Sequence, residues 1–540
     1  MAWSNLGTAH RPVVMGRNGM VASAHPLASV AGLRILQQGG NAIDAAVATA
    51  AALNVVEPYM SGLGGGGYMV IHTADGQTRV LDYSGTTSAN VDINELDLES
   101  IDVGGKAPVI PGAPAGWLEA LAKLGTLSPA QVFAPAIEYA EQGVPLTIVN
   151  AMFYRMAGDR LDDAAKAVFW PSGEAPAAGA IIKQPALART LRALADEGPG
   201  IFYDGPLGRE VVRAVQAVNG YLDEDDLRGY EITWREPLAA CYRGYELRTV
   251  GPPATAFQVP ATLKLLEGFD LKASGQNSAD TIHLMAEAMK LAVADRIEWA
   301  GKHDAPFSGL FSDGYAAARR AEIDPQRARP VEGERYTRPL PEGAVRPGSP
   351  QDFARENTTH FDVVDGEGNG VSITQSLGSF FGSGVMGGDT GIVLNNFSHF
   401  FDLDPESANA IGPSTPRMTS MAPTIVYLDG KPFLLIGTPG AFGILQTTVQ
   451  MISNVLDHGY SVQAAIEAPR FRTFAGREIA IENRVPQEVR DELARRGHEI
   501  RLLDAWSPVV GGGQGIMIDP ESGALGGGAD PRRDGYAIGW

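Results

Sequence analysis

The stretch "ARENTTHFDVVDGEGNGVSITQS", residues 354–376, sets the reading of the whole chain. "THFDVVD" and "GVSITQS" alternate, are rich in strand formers and are separated by Gly, Glu and Asn, which predicts two β-strands. Thr358, Thr359 and His360 are then simply the first residues of a strand. What precedes them is unusual: "RYTRPLPEGAVRPGSPQDFAREN", 335–357, is dense in Pro, Gly and charge and shows little period, the signature of a linker.

A strainable linker running into a rigid strand is a place where a chain can be cut. A threonine hydroxyl is a poor nucleophile until a base takes its proton. A threonine made N-terminal carries such a base, its own α-amine with a pKa of about 8. A cut between Asn357 and Thr358 would supply it. Amide cleavage also needs N–H donors for a tetrahedral oxyanion, and "IGTPGAFG" (436–443), after an apolar strand, offers Gly440 and Ala441 in a turn. Ser376, Thr419 and Ser420 are hydroxyls available to steer nucleophile and substrate.

The chain around this stretch has 540 residues, 44% apolar and 20% charged, a globular composition able to bury a sizeable core. Its 43 basic and 63 acidic side chains leave a formal charge of −20, so neither nucleic acid nor an anionic membrane is an expected partner. The single cysteine, Cys241, excludes an internal disulfide and a multi-cysteine metal site, and reads as a small buried apolar residue. The first residues, "MAWSNLGTAHRPVVMGRNGM", lack a basic region followed by an apolar one, and no stretch approaches the ~20 apolar residues of a spanning helix. A cytoplasmic location is the expectation.

"NAIDAAVATAAALNVVEP" (41–58) predicts an alanine-rich helix able to pack closely, ended by Pro58 and the glycines of "YMSGLGGGGYMVIHTADGQTRVLDYSG", which itself holds two strands around "DGQ". Residues from about 110 to 220 read mainly as helices, and "TIHLMAEAMKLAVADRIEWAG" (281–301) as one long amphipathic helix in which His283 is a core or surface residue. After the linker, "GIVLNN", "TIVYLDG" and "PFLLIGTPG" read as further strands and "ILQTTVQMISNVLDHG" as a helix. No HxxxH, CxxC, phosphate-loop or GxSxG motif occurs, and Gly511, Gly512, Gly513 and Gly515 read as a turn between strands. No metal or cofactor is expected.

Taken in order, "GGNAIDAAVATAAALNVVEPYMSGLGGGGYMVI", "PGAPAGWLEAL", "CYRGYELRTVGPP", "HLMAEAMKLAVADR", "NTTHFDVVD", "GIVLNN", "TSMAPTIV" and "GTPGAFGILQTTVQMI" resemble the γ-glutamyltransferase (glutathione hydrolase) family of N-terminal-nucleophile hydrolases. The resemblance implies an α/β (α+β) fold, a four-layer αββα sandwich. It is made as one precursor that cuts itself into a large piece, 1–357, and a small piece, 358–540, which remain one unit. By the same resemblance Thr358 is nucleophile and base, Ser376 stands where a threonine hydrogen-bonds the nucleophile, Gly440 and Ala441 where a Gly-Gly pair holds the oxyanion, and Thr419 and Ser420 where a Ser-Ser pair meets the substrate. Thr359 and His360 have supporting places.

The departures concern the substrate. Where glutamyl-processing members carry an Arg-Glu pair that clamps the α-carboxylate, this chain has Ser84 and Gly85, and a hydroxyl cannot replace a bidentate guanidinium. The family's Asn after the second hydroxyl is Gly378, and its Gln and Asp that hold the α-amino group fall within "NNFSHFF", at Phe397, His399 and Phe400. Asp402 or Asp404 would have to reach back to replace them. Arg417 either binds a substrate carboxylate from another direction or bridges to a surface acid. The expected activity is a self-processing threonine amidohydrolase acting on a small amide, with water or an amine as acceptor. A true γ-glutamyl hydrolase or transferase is the first alternative and an unprocessed, non-catalytic scaffold the second.

Overall fold

The computed structural model describes residues 9–300, 305–329, 356–474 and 476–540. The expected linker therefore lies outside the described residues, except for its last two positions, which open a strand. Fourteen strands build two sheets: β1 (Val14–Gly16), β2 (Gly19–Ser23), β3 (Gly66–His72), β4 (Thr78–Tyr83), β5 (Thr233–Arg235), β6 (Leu238–Tyr242), β7 (Tyr245–Thr249), β8 (Glu356–Asp365), β9 (Gly370–Ser379), β10 (Thr424–Leu428), β11 (Lys431–Gly437), β12 (Gln514–Ile518), β13 (Leu525–Ala529) and β14 (Tyr536–Gly539). One sheet runs β14-β2-β8-β9-β3-β4-β5 and the other β1-β13-β12-β11-β10-β7-β6. Each mixes strands from before and after the linker.

The alanine-rich helix forms as expected, α2 (Ala42–Val56), started by a capping box between Asn41 and Asp44 and buried along its whole length. Its small side chains let α1 (Pro26–Gln37) come so near that a Cβ at Gly32 would stand 2.3 Å from Thr49 Oγ1. Helix α2 and α3 (Ala113–Leu124) cover the outer face of the first sheet. On the far side α4 (Gln258–Leu266), with α5 (Ala279–Trp299) behind it, and α6 (Ile444–Leu456) cover the second. Helix, sheet, sheet, helix is the αββα order, and the sheets touch closely: a Cβ at Gly437 of β11 would stand 2.4 Å from the His360 ring of β8.

Two expectations fail. "GIVLNN" forms no strand; Val393 and Leu394 make only isolated bridges to Met386 and Gly64, and the Asn395 side chain donates to the carbonyls of Gly64 and Val109. Cys241 is exposed rather than buried, since β6 is an edge strand and the residue points outward. His283 is a core residue: its Nδ1 lies 2.8 Å from His498 Nε2, and nearby Glu287 is paired with Lys290 at 2.7 Å. No helix among the described residues is long and apolar enough to cross a membrane.

Candidate active site

The glycines of "SGLGGGG" bring β3 hard against β9. A Cβ at Gly65 would stand 2.1 Å from Ser376 O, and one at Gly67 2.5 Å from Thr374 O. No larger residue fits between these backbones. Beside them the β8–β9 pairing slips, Asn357 facing Gly378 but Thr359 facing Gln375, so Ser376 and Leu377 lie together opposite Thr358. This β-bulge re-aims the side chains at the start of β8. The freed Leu377 N–H donates to Met60 O at 2.9 Å.

In the bulge the Thr358 hydroxyl donates to Ser376 Oγ at 3.4 Å, and the Gly378 N–H donates to the same oxygen at 2.7 Å. Both hydroxyl-bearing residues are buried. The Thr358 carbonyl accepts from Arg533 Nη1 at 3.3 Å. Thr359 points to the other face and donates to Glu57 Oε2 at 3.3 Å. Burial pushes the Glu57 carboxyl up to about 7, against the opposing pull of Arg533. His360 faces the same side as Thr358, but its ring is held between Thr374 Oγ1 (2.9 Å) and Asp362 Oδ2 (3.1 Å), which leaves it no nitrogen for the hydroxyl.

The turn after β11 packs against β8. Gly440 has φ 127° and Ala441 φ 53°, the left-handed region that an alanine occupies only at a cost of about 1–2 kcal/mol. Neither amide donates to a protein acceptor among the described residues. Two adjacent N–H groups held in a strained turn against β8 are an anion-binding arrangement.

The opposite wall runs from Ser376 through Gly378 to Phe397 and Arg417. Gly378 has φ 102°, and a Cβ there would stand 2.0 Å from Asn396 Oδ1 and 3.4 Å from Phe397 Cδ1. Arg417 Cζ lies 3.5 Å from the Phe397 ring centre and 5.4 Å from that of Phe400. It is buried, its Nε has no hydrogen-bond partner, and it forms no ion pair among the described residues. Burial pulls its guanidinium down to about 10. The surface ion pair is thus not made. Ser84 donates to Asp82 Oδ1 at 2.8 Å and accepts from Tyr68 at 3.2 Å, and Asp82 is paired with Arg235 at 3.0 Å. Thr419 is fixed through its carbonyl by Thr255, whose N–H and hydroxyl donate at 2.7 and 3.0 Å. The Ser420 hydroxyl makes no hydrogen bond among the described residues. Asp402 is exposed and engaged by Ser407, and Asp404 caps Glu406 at 3.0 Å, so neither turns back.

The γ-glutamyltranspeptidase family profile matches residues 28–540. The chain belongs to the γ-glutamyltranspeptidase family. Among its relatives are the acylase ACY 1 proenzyme of Pseudomonas sp. (strain V22), 38% identical over 98% of this chain and 95% of that protein, and the glutathione hydrolase proenzyme of Bacillus subtilis (strain 168), 37% identical over 98% and 93%. Among solved structures, cephalosporin acylase from Bacillus halodurans superposes with a TM-score of 0.88, at 34% identity over 99% of this chain and 98% of that one. The αββα fold is that of the N-terminal-nucleophile hydrolases in this family.

Within this γ-glutamyltranspeptidase fold the departures are built into the backbone. A Cβ at Gly85 (φ 86°) would stand 2.4 Å from Ile110 O, so no glutamate fits there. Gly378→Asn is expected to lower stability by at least about 2 kcal/mol through left-handed strain and collision with Asn396. Thermal unfolding checks it, and an unchanged midpoint contradicts the reading. Arg533, Glu57 and Thr255 escaped the sequence reading. Each is distant in the chain from the residue it holds and sits in no catalytic motif.

Proposed function

We propose that this protein is a threonine amidohydrolase that cuts itself between Asn357 and Thr358 into pieces of 357 and 183 residues. The observation that carries the reading is the Thr358–Ser376 hydroxyl pair, 3.4 Å apart, on a strand against which the turn bearing the unengaged amides of Gly440 and Ala441 packs. In self-cleavage the Thr358 hydroxyl attacks the Asn357 carbonyl, the chain shifts from amide to ester, and water releases it. In turnover the new α-amine takes the hydroxyl proton as Thr358 Oγ1 attacks the substrate carbonyl. The Gly440 and Ala441 amides receive the oxyanion, the proton passes to the leaving amine, and water or a second amine then takes the acyl group from Thr358.

For the acyl group, the reading is a small carboxylate-bearing chain without an α-ammonium. Arg417 lacks a carboxylate partner, and Thr419 and Ser420 follow it closely in sequence, an arrangement suited to an anion. By the resemblance, the places where the family's side chains hold an ammonium fall at Phe397, His399 and Phe400, and the rings of Phe397 and Phe400 already carry the guanidinium of Arg417. A second cation there would be repelled. Turnover of the p-nitroanilides of glutarate, oxalate and γ-glutamate tests this: one of the first two is expected to be preferred, and robust turnover of the γ-glutamyl compound alone returns the reading to a γ-glutamyl hydrolase.

A further inference from the structure

Among the buried cations, Arg533 stands apart in what it touches. Its Nη1 donates to the Thr358 carbonyl at 3.3 Å and reaches Met60 Sδ at 3.7 Å, while its Nε has no partner. It is almost fully buried and forms no ion pair among the described residues. The loop behind it is shaped to admit it: a Cβ at Gly512 would stand 2.6 Å from Arg533 Cδ, so the glycine-rich turn at 511–515 is bare where the arginine stem passes. By contrast the neighbouring Arg532 is fully paired, with Glu482 at 2.6 Å and Asp530 at 3.2 Å.

We infer that Arg533 is a positioning residue for the nucleophile: it holds the Thr358 carbonyl, and its charge, in no ion pair, keeps the α-amine created by cleavage in the neutral form that can accept a proton. This rests on the proposed role of Thr358. The amine belongs to the same residue as the carbonyl, which places it about 6 Å from the guanidinium. At that distance a buried positive charge lowers an amine below its ordinary range. The other groups facing this point are His360 and Asp362 on β8, Ser376 on β9, Glu57 and Tyr59 at the end of α2, and Asp530 and Asp534 beside Arg533 itself. Of the carboxylates, Asp362 and Asp530 are already engaged, by His360 and by Arg470 with Arg532. Burial holds the Glu57 carboxyl up to about 7 and Asp534 above the usual range, so below about pH 7 they offset the field of Arg533 only weakly.

The test is the pH dependence of the p-nitrophenol burst from p-nitrophenyl acetate, with Thr358→Ala as the background. In Arg533→Met and Arg533→Gln the acid limb is expected to rise by at least one pH unit, and in Arg533→Lys to stay within about half a unit. A merely structural residue would lower the burst amplitude and leave the midpoint in place. A cleaved Met or Gln variant with the wild-type midpoint overturns the inference. If neither neutral variant is cleaved, the lysine variant decides. An unmoved midpoint supports the inference, while a shift of a unit or more, or failure to cleave although the charge is kept, overturns it. A wild-type burst that Thr358→Ala leaves intact removes the nucleophile reading instead, and so is distinguishable.

Discussion

Thr358→Ala is expected to remain one uncut chain of 540 residues and to lose at least about 10⁴-fold in turnover. The substitution removes first the cut and then the base that depends on it. Without the hydroxyl nothing attacks the Asn357 carbonyl, so no terminus forms; without a terminus there is no amine to act as base. Thr358→Ser keeps both groups and is expected to cleave and turn over more slowly, because the lost methyl no longer limits the rotamers of the hydroxyl. The fold should be unaffected, since the alanine removes only a 3.4 Å hydrogen bond to Ser376, which keeps the 2.7 Å donor from Gly378. Denaturing electrophoresis and a turnover assay on the same sample check both parts. A cleaved or active Thr358→Ala protein would exclude Thr358 as nucleophile.

Arg417→Met is expected to do the opposite to stability and activity. A buried guanidinium without a carboxylate costs several kcal/mol relative to an apolar side chain of similar size, so its removal should leave the melting temperature unchanged or raised. If the missing partner is a substrate carboxylate, kcat/KM for the carboxylate-bearing amide should fall by about 30-fold or more, mostly through KM, while self-cleavage proceeds. Arg417→Lys should recover only part, because an ammonium cannot make the paired bonds of the planar fork. Loss of stability together with loss of activity would mark Arg417 as a structural residue on Phe397 and Phe400. That outcome would leave the acyl-binding group unassigned.

The parts of the fold legible in the sequence are those fixed by local rules. Helix α2 carries its capping box and alanines in one contiguous stretch, and β8 and β9 carry their alternation. The hydroxyls and the Gly440–Ala441 turn proposed for the site could be picked out for a similar reason, since each sits in a short motif of telling residue types. "GIVLNN" misled because apolar content says nothing of whether neighbouring backbone is placed to pair, and there Val393 and Leu394 find only isolated bridges. Arg533 and Glu57 were out of reach for a different reason. Arg533 lies 175 positions from Thr358 and Glu57 lies 302 positions from Thr359, and only the packing of the first sheet brings these pairs together. Arg417 was visible as a charge, but that it forms no ion pair among the described residues is a property of the folded chain alone.

On the proposed function, Thr358 becomes a terminus. Intact mass determination of the purified wild-type protein tests it without any knowledge of the substrate. The account predicts two polypeptides that copurify, of 357 and 183 residues, the smaller beginning at Thr358. A single uncut chain, or a small piece beginning at any other residue, would contradict it.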